Sequence, residues 1–325
     1  MTDLSVDADF AALTDPYRRE LLAHCYRMLG SIHDAEDLVQ ESYLRAWRGF
    51  DGFEGRSSIR VWLYKIATMA CLTAIQARGR RALPSALTTA SGDHEAPLAA
   101  ARPAAAWLQP APDRYFSESP DDPATVVQQR SGVRLAFIAA LQYLPARQRA
   151  VLILRDVLAW RAAEVAVALD TSTAAVNSAL QRARAQLLAA GADALTIAEP
   201  GDGPTRSLLD RYVAAFEHSD VDQLVGLLLT DVELEMPPIP TWFAGRHAVA
   251  GFLSTRVFGP AGSWRMLPTR ANGQPAVVVY AKRPDHTFRA YGVQVLAVQG
   301  SRVRRISSFN DATLVTAFGF PDTLA

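Results

Sequence analysis

The chain has 325 residues, half of them apolar, which is enough to bury the cores of two or three domains. Its 33 Lys and Arg balance 33 Asp and Glu, so net charge identifies no partner. There is neither a membrane-length apolar run nor a basic-apolar leader, so we expect a cytoplasmic protein without a membrane partner. The two cysteines lack zinc-ligand spacing, and nothing in the sequence requires a metal or a cofactor.

The first region, residues 8–81, has apolar residues at intervals of three and four, which predicts helices. Helix breaks are expected at Gly30 and near Gly52. One predicted helix carries a polar ridge at positions i, i+3 and i+4 beside apolar residues. A ridge of this kind suits a partner with basic helices. The residues of this ridge and its apolar neighbour are Asp37, Leu38, Gln40 and Glu41.

Aromatic and cationic residues alternate at the next loop and in the helix that follows it. Such side chains, together with small hydroxyls, can hold the unstacked bases of a single strand. Packing of the aromatics in a protein core is the competing interpretation. The residues concerned are Phe50, Ser57, Ser58, Arg60, Trp62 and Lys65.

Residues 82–125 contain seven prolines and many alanines without a sustained period, which predicts a linker. Its acidic, Pro-rich end could follow an extended path through a partner protein. A disordered tether is the alternative.

Residues 126–190 are the basic part of the chain, with 8 Lys or Arg against 3 Asp or Glu, a net charge of +5. A short helix, a turn at Asp170 and a longer helix have the spacing of a helix-turn-helix. Asp tolerates the left-handed backbone of such a turn, and Ser172 or Thr173 can cap the second helix. The second helix is expected to bury Val176, Leu180, Ala183 and Leu187. Its opposite face has no carboxylate and suits the major groove of DNA. That face consists of Thr173, Asn177, Ser178, Gln181, Arg182 and Arg184.

Residues 205–325 read as two helices, a strand, a Pro-rich corner, a helix, four strands and a closing helix, which predicts an α+β cone. Alternation along the first strand places Glu233 and Glu235 on the outer face. His247 and His286 are expected at the surface, and Asp311 is either a base or a helix cap. Aromatic residues are expected to line a ligand pocket or an intramolecular interface. These residues are Trp242, Phe252, Tyr280 and Tyr291.

Two blocks resemble regions two and four of the extracytoplasmic-function (ECF) sigma factors of bacterial RNA polymerase. The first contains "DAEDLVQESYLRAW" and "SSIRVWLYKIA", and the second is "LPARQRAVLILRDVLAWRAAEVAVALDTSTAAVNSALQRARAQL". The third domain, with "MPPIPTWFAGRHAVAGFL", resembles the SnoaL-like, NTF2-like domain fused to a subgroup of these factors. The expected fold is therefore two all-α sigma domains followed by an α+β NTF2-like cone.

The resemblance implies a role for each of the three candidate surfaces. The ridge at Asp37 would dock on core RNA polymerase, the element from Phe50 to Lys65 would open and hold the minus-ten strand, and the face from Thr173 to Arg184 would read the minus-thirty-five duplex. Many family members have Asn where this chain has Met69 and Asp where it has Thr73, so the minus-ten preference stays open.

The leading hypothesis is a non-enzymatic sigma factor that the cone regulates in cis, by an intramolecular contact or through a small-molecule ligand. One alternative is a cyclase or isomerase in the cone, although no acid/base pair stands out. Another is a repressor that uses the helix-turn-helix alone, against which the first region argues.

Overall fold

The computed structural model describes residues 10–55, 57–116, 134–189 and 202–324. The chain divides into two compact units. Unit 1 comprises residues 1–81 and 114–195, and unit 2 comprises residues 82–113 and 196–325. Residues 82–113, here called the linker segment, therefore group with the C-terminal domain. The expectations for residues 8–9, 117–133, 190 and 325 lie outside the described residues.

The first region of unit 1 contains three long helices. They are α1 (Arg18–Leu29), α2 (Ile32–Arg48) and α3 (Ile59–Arg78). Gly30, with φ of 68°, ends α1 where the sequence predicts a break. The next residue, Ser31, caps α2 because its Oγ accepts the backbone N–H of Asp34 at 3.2 Å. Cys25 and Cys71 are buried free thiols between these helices. The neighbouring Cys25 and burial raise the pKa of Cys71.

The described part of the second region of unit 1 contains four α-helices, the second of which continues into a π-helical turn, Ile153–Val157. They are α4 (Leu135–Leu141), α5 (Ala146–Leu152), α6 (Ala162–Ala168) and α7 (Thr173–Ala189). Asp170 adopts the left-handed backbone expected of the turn, with φ of 51°. Ser172 caps α7 by accepting the N–H of Ala175 at 3.1 Å. The predicted stripe on α7 is confirmed, since its four members are the buried residues of this helix.

The two regions of unit 1 pack on each other, because α3 contacts both α5 and α6. The buried ring of Trp160 lies 5.0 Å from that of Tyr64 on α3, measured between centroids. The buried guanidinium of Arg149 donates hydrogen bonds to the carbonyl of Met28 and to Oε1 of Gln142. Burial lowers the pKa of Arg149 to about 10, but the side chain stays protonated at neutral pH. The two regions thus share part of their core.

Over its described residues, unit 2 combines four α-helices with one curved sheet. The helices are α8 (Asp202–Glu217), α9 (Val221–Leu227), α10 (Arg246–Phe252) and α11 (Ala312–Ala317). The strands are β1 (Leu228–Met236), β2 (Ile239–Ala244), β3 (Trp264–Ala271), β4 (Gln274–Lys282), β5 (Phe288–Gln299), β6 (Arg302–Phe309) and β7 (Thr323–Leu324).

The strand order is β2-β1-β6-β5-β4-β3, with β7 paired to β5. Only the β1–β6 pair is parallel among these described strands. Register shifts interrupt several ladders, including β4–β5 and β5–β6, and such irregularities bend a sheet. The sheet curls around a core that it shares with α8, α9 and α10. The α+β prediction is confirmed, with one correction. The Pro-rich corner contains β2, because its residues pair with the free edge of β1.

None of the helices in the described ranges is both long and apolar enough to cross a membrane. The same residues contain no group of three His, Cys, Asp or Glu side chains suited to hold a metal ion.

Candidate nucleic-acid interface and cone cavity

The polar face of α7 is fully presented to solvent. All six residues expected on it are exposed. Arg184 makes a two-bond ion pair with Asp156, at 2.7 and 2.9 Å, and this partner raises the pKa of Arg184. The ion pair holds Arg184 against the π-helical turn, Ile153–Val157, that continues α5. The face therefore offers amide, hydroxyl and guanidinium donors of the kind that contact base edges and phosphates.

The residues expected to hold a single strand gather at the start of α3, where many already have protein partners. Ser58 caps α3, since its Oγ accepts the N–H of Val61 at 3.2 Å. Ser57 lies half-buried just before it, and residue 56 is outside the described residues. The ring of Trp62 packs on Phe53, with centroids 4.9 Å apart. Phe50 packs edge-on against Phe10 at 5.2 Å.

The two cations of this group differ in their surroundings. Arg60 forms a bidentate ion pair with Glu20, with contacts of 2.8 and 2.9 Å, and its guanidinium lies within 6 Å of the rings of Tyr64 and Trp160. The hydrogen bonds that Arg60 donates to Glu20 raise the pKa of Arg60. Lys65 is exposed. Arg60 therefore contributes to packing within unit 1 as well as to the positive charge of this element.

The ridge on α2 is exposed and partly apolar. Asp37, Gln40 and Glu41 face solvent, while Leu38 is buried beneath them. Leu44 continues the ridge one turn further with 56% of its surface exposed. Sequence reasoning missed Leu44, although its spacing of three from Glu41 would have placed it there. An apolar residue among carboxylates makes this surface suitable for a protein partner.

Unit 2 contains a cavity of about 370 Å³ between the concave sheet and its helices. Two of the four aromatics expected at a pocket, Phe252 and Tyr291, line it. Trp242 and Tyr280 do not line this cavity. Trp242 donates a hydrogen bond to the carbonyl of Thr88 in the linker segment at 2.9 Å, and the hydroxyl of Tyr280 donates to Pro321 at 2.8 Å.

A chain of neutral polar groups lies along one side of the cavity. The buried hydroxyl of Tyr212 donates to Oε1 of Gln294 at 2.8 Å. Gln294 Nε2 donates to Oγ of Ser308 at 3.3 Å, and that hydroxyl donates to Oδ1 of Asn310 at 2.9 Å. Among the described residues lining this cavity there is no Asp, Glu or His. Sequence reasoning missed this polar chain, because its members lie on a helix, on two strands and just after the second strand, far apart in sequence.

The ionisable residues considered in the cone lie away from the cavity. His247 and His286 are exposed, as expected. Asp311 caps α11 by accepting the N–H and the hydroxyl of Thr313 at 3.0 and 2.7 Å. Glu233 pairs with Arg305 on the outer face of the sheet.

Glu235 is on that outer face too, yet it is completely buried. Its cover is the linker segment, where the N–H and the hydroxyl of Ser85 donate to Glu235 Oε2 at 3.2 and 2.9 Å. Burial raises the pKa of Glu235, and Arg305 with the Ser85 donors opposes that effect.

The linker segment follows the cone from this point to its last residue. Its Ser91 N–H donates to the carbonyl of Trp242 at 2.8 Å. The His94 ring occupies the space beside Gly251, where a Cβ atom would come within 2.6 Å of it. At the far end, Asp113 accepts hydrogen bonds from Arg270 at 3.0 Å and from the Gly273 N–H at 2.7 Å. These contacts bind the linker segment along its length.

Comparison with known proteins agrees with this arrangement. The Sigma-70 region 2 family matches residues 13–81, and the Sigma-70 region 4 family matches residues 134–187. The chain belongs to the ECF RNA polymerase sigma factors, and it acts in promoter-specific transcription. It is 49% identical over 319 residues to the ECF RNA polymerase sigma factor SigG of Mycobacterium tuberculosis, covering 97% of this chain and 85% of SigG.

A second relative, the ECF RNA polymerase sigma factor SigJ of Mycobacterium tuberculosis, is 31% identical over 225 residues, covering 69% of this chain and 62% of SigJ. The crystal structure of Mycobacterium tuberculosis SigJ has the same overall fold, with a TM-score of 0.59, 23% identity, and coverage of 97% of this chain and 99% of that one.

Proposed function

We propose that this sigma factor recognises promoters through two surfaces of unit 1 and that its C-terminal domain regulates it in cis by retaining the linker segment. The first part rests on the exposed face of α7. A helix-turn-helix places its second helix in the major groove, where Asn, Gln and Arg side chains pair with base edges. The face from Thr173 to Arg184 would read the minus-thirty-five duplex.

The second promoter-recognising surface lies at the start of α3, and a third surface of unit 1, on α2, would bind the polymerase. The aromatic and cationic element at the start of α3 would hold the separated minus-ten strand, because rings stack on bases and cations attract phosphates. The α2 ridge at Asp37, Gln40 and Glu41 would dock on core RNA polymerase, with Leu44 adding apolar contact area.

The duplex-reading role can be tested with holoenzyme reconstituted on the core polymerase of Mycobacterium tuberculosis, the source of the 49%-identical relative. Promoters are first selected from a randomised library with the unmodified protein. Arg182→Ala should then weaken promoter binding by about 1–3 kcal/mol if Arg182 contacts a base. Arg211→Ala removes the same charge from an exposed site on α8 and serves as the control. An Arg182→Ala footprint equal to that of the control would refute this role.

Regulation in cis rests on one observation, the burial of Glu235 under Ser85 of the linker segment. A buried carboxylate needs hydrogen-bond donors, and here the linker segment supplies two of them. These two hydrogen bonds exist only while the linker segment is docked, so they help to hold it to the cone. A segment that joins the two promoter-binding regions in sequence cannot bind elsewhere while it is held there. Retention would therefore limit assembly of the active complex.

Weakening this retention should increase transcription. Arg270→Gln removes the ion pair to Asp113. Arg304→Gln is the control, because Arg304 is exposed and its one hydrogen bond among the described contacts is to nearby Gln299. We expect Arg270→Gln to speed amide exchange in residues 82–113 and to raise run-off transcription at limiting protein. Faster exchange with unchanged transcription would reject regulation by retention.

A further inference from the structure

The cavity of unit 2 has the size and lining of a small-molecule site. Its volume of about 370 Å³ lies within the range that such sites occupy. Phe216, Leu234, Met236, Phe252, Leu253 and Val279 supply its apolar wall. A molecule that fills this space gains most of its affinity from burial of apolar surface.

The polar chain defines what else the molecule must carry. Within the described contacts, Oδ1 of Asn310 is taken by the hydroxyl of Ser308, so the amide of Asn310 has N–H groups to donate. A ligand atom beside it should be an acceptor, such as a carbonyl, ether or hydroxyl oxygen. A carboxylate would lack a charged partner in the cavity unless Arg256 supplied one.

Arg256 is engaged by the linker segment through one nitrogen of its guanidinium. Its Nη2 donates hydrogen bonds to the carbonyls of Glu95 and Ala96. Two residues further along, Leu98 itself lines the cavity and packs on the core of unit 2. The neighbouring Ala99 N–H is held by Oγ1 of Thr241 at 2.9 Å. The cavity therefore has its complete wall only while the linker segment is docked.

We propose that the cavity binds a neutral, mainly apolar small molecule with a hydrogen-bond-accepting oxygen, and that this molecule and the docked linker segment stabilise each other through Leu98. The coupling rests on the regulation proposed above, whereas the ligand site stands on the cavity alone. A molecule in contact with Leu98 binds the docked state more tightly than the released one, and the coupling is reciprocal. The ligand would act as a signal that keeps the factor inactive.

The site can be tested with three probes of similar shape on the full chain: 2-naphthol, naphthalene and 2-naphthoate. Equilibrium dialysis should show the tightest binding for 2-naphthol, by about fivefold over naphthalene for one hydrogen bond. The anion 2-naphthoate should bind weakest. Asn310→Leu should abolish the preference for 2-naphthol, and Val279→Phe should reduce binding of all three by filling the cavity. Equal binding of the three probes, or binding unaffected by Val279→Phe, would overturn the site.

The coupling has its own readout. At ten times the dissociation constant of 2-naphthol, amide exchange in residues 85–102 should slow by up to about tenfold. Leu98→Ala should weaken 2-naphthol binding and remove this protection, and Arg270→Gln should weaken binding without touching the cavity wall. Probe binding with unchanged exchange would refute the coupling and leave the site intact. If no probe bound, the ligand site would be refuted. If Arg270→Gln still increased transcription in that case, the proposed regulation would stand.

Discussion

The two proposed DNA-binding surfaces of unit 1 differ in how much of their chemistry is already used by the protein. On α7 all six polar residues are exposed, and Arg184 alone among them has an ion-pair partner in the described contacts. At the start of α3, Arg60 is bound to Glu20, and Phe50 and Trp62 pack on neighbouring rings. The comparison indicates that the proposed duplex-reading surface is preformed. The proposed strand-holding surface would have to exchange internal contacts for contacts with DNA.

The largest expected effect concerns Trp160, which joins the second region of unit 1 to α3. Trp160→Ala removes a buried ring and should lower the free energy of unfolding of unit 1 by about 3–5 kcal/mol. Urea unfolding with amide exchange in α1–α3 would measure the loss. Trp47→Ala, at a half-exposed Trp on α2, should cost far less. Equal losses in the two variants would mean that packing at Trp160 does not join the regions.

Glu20→Gln should sharpen the contrast between the surfaces by freeing Arg60. We expect it to lower the free energy of unfolding by about 1.5 kcal/mol. This value is at the low end of the range for hydrogen bonds to a charged group, because Arg60 is 40% exposed and solvent screens the ion pair. It should also tighten holoenzyme binding to a short oligothymidylate. Asp231→Asn removes an exposed carboxylate on β1, outside the three proposed surfaces, and serves as the control. Oligothymidylate binding unchanged from wild type would indicate that Glu20 does not compete with DNA for Arg60.

His24 makes the stability of the α1–α3 core depend on pH. Burial lowers its pKa to about 3, and the nearby Arg27 adds to this shift. The unfolded chain binds a proton between the folded pKa and about 6.5, so stability is lost as pH falls through that window. Between pH 7.5 and 5.5 this group should cost about 1.3 kcal/mol.

The measurement is urea unfolding at both pH values, followed by helical circular dichroism. His24→Asn should reduce the loss by that amount, while the exposed His218→Asn should leave it unchanged. If His24→Asn lost as much free energy of unfolding between pH 7.5 and 5.5 as the wild type does, His24 would not be buried in its neutral form.

The smallest effect is expected at the ion pair on α7. Arg184 is mostly exposed, so Arg184→Gln should change the free energy of unfolding by no more than about 0.5 kcal/mol. A double-mutant cycle with Asp156→Asn isolates the pair. A coupling above about 1 kcal/mol would show that α7 is held more firmly than a surface ion pair allows.

Local patterns sufficed to predict much of this molecule. The buried stripe of α7, the turn at Asp170 and the cap at Ser172 all follow from spacings within a few residues. The strands of the cone follow from alternation between turn signals. The three DNA- and polymerase-binding surfaces remain predictions at the level of individual residues.

Features made by residues distant in sequence were missed. Alternation placed Glu235 on the outer face of β1, but its burial depends on Ser85, 150 residues earlier. The cavity was expected from aromatic residues alone, whereas Gln294, Ser308 and Asn310 form its polar side. Trp242 holds the linker segment and does not line the cavity, because it lies on the strand that the sequence suggested was a corner.

The glycine at position 251 leaves just enough room on α10 for the imidazole of His94. A single methyl group there would compete with that ring for the same space, in the unit that carries none of the proposed nucleic-acid surfaces. Under the proposed regulation, alanine at this position would loosen the linker segment while leaving every residue of the proposed promoter-binding surfaces unchanged.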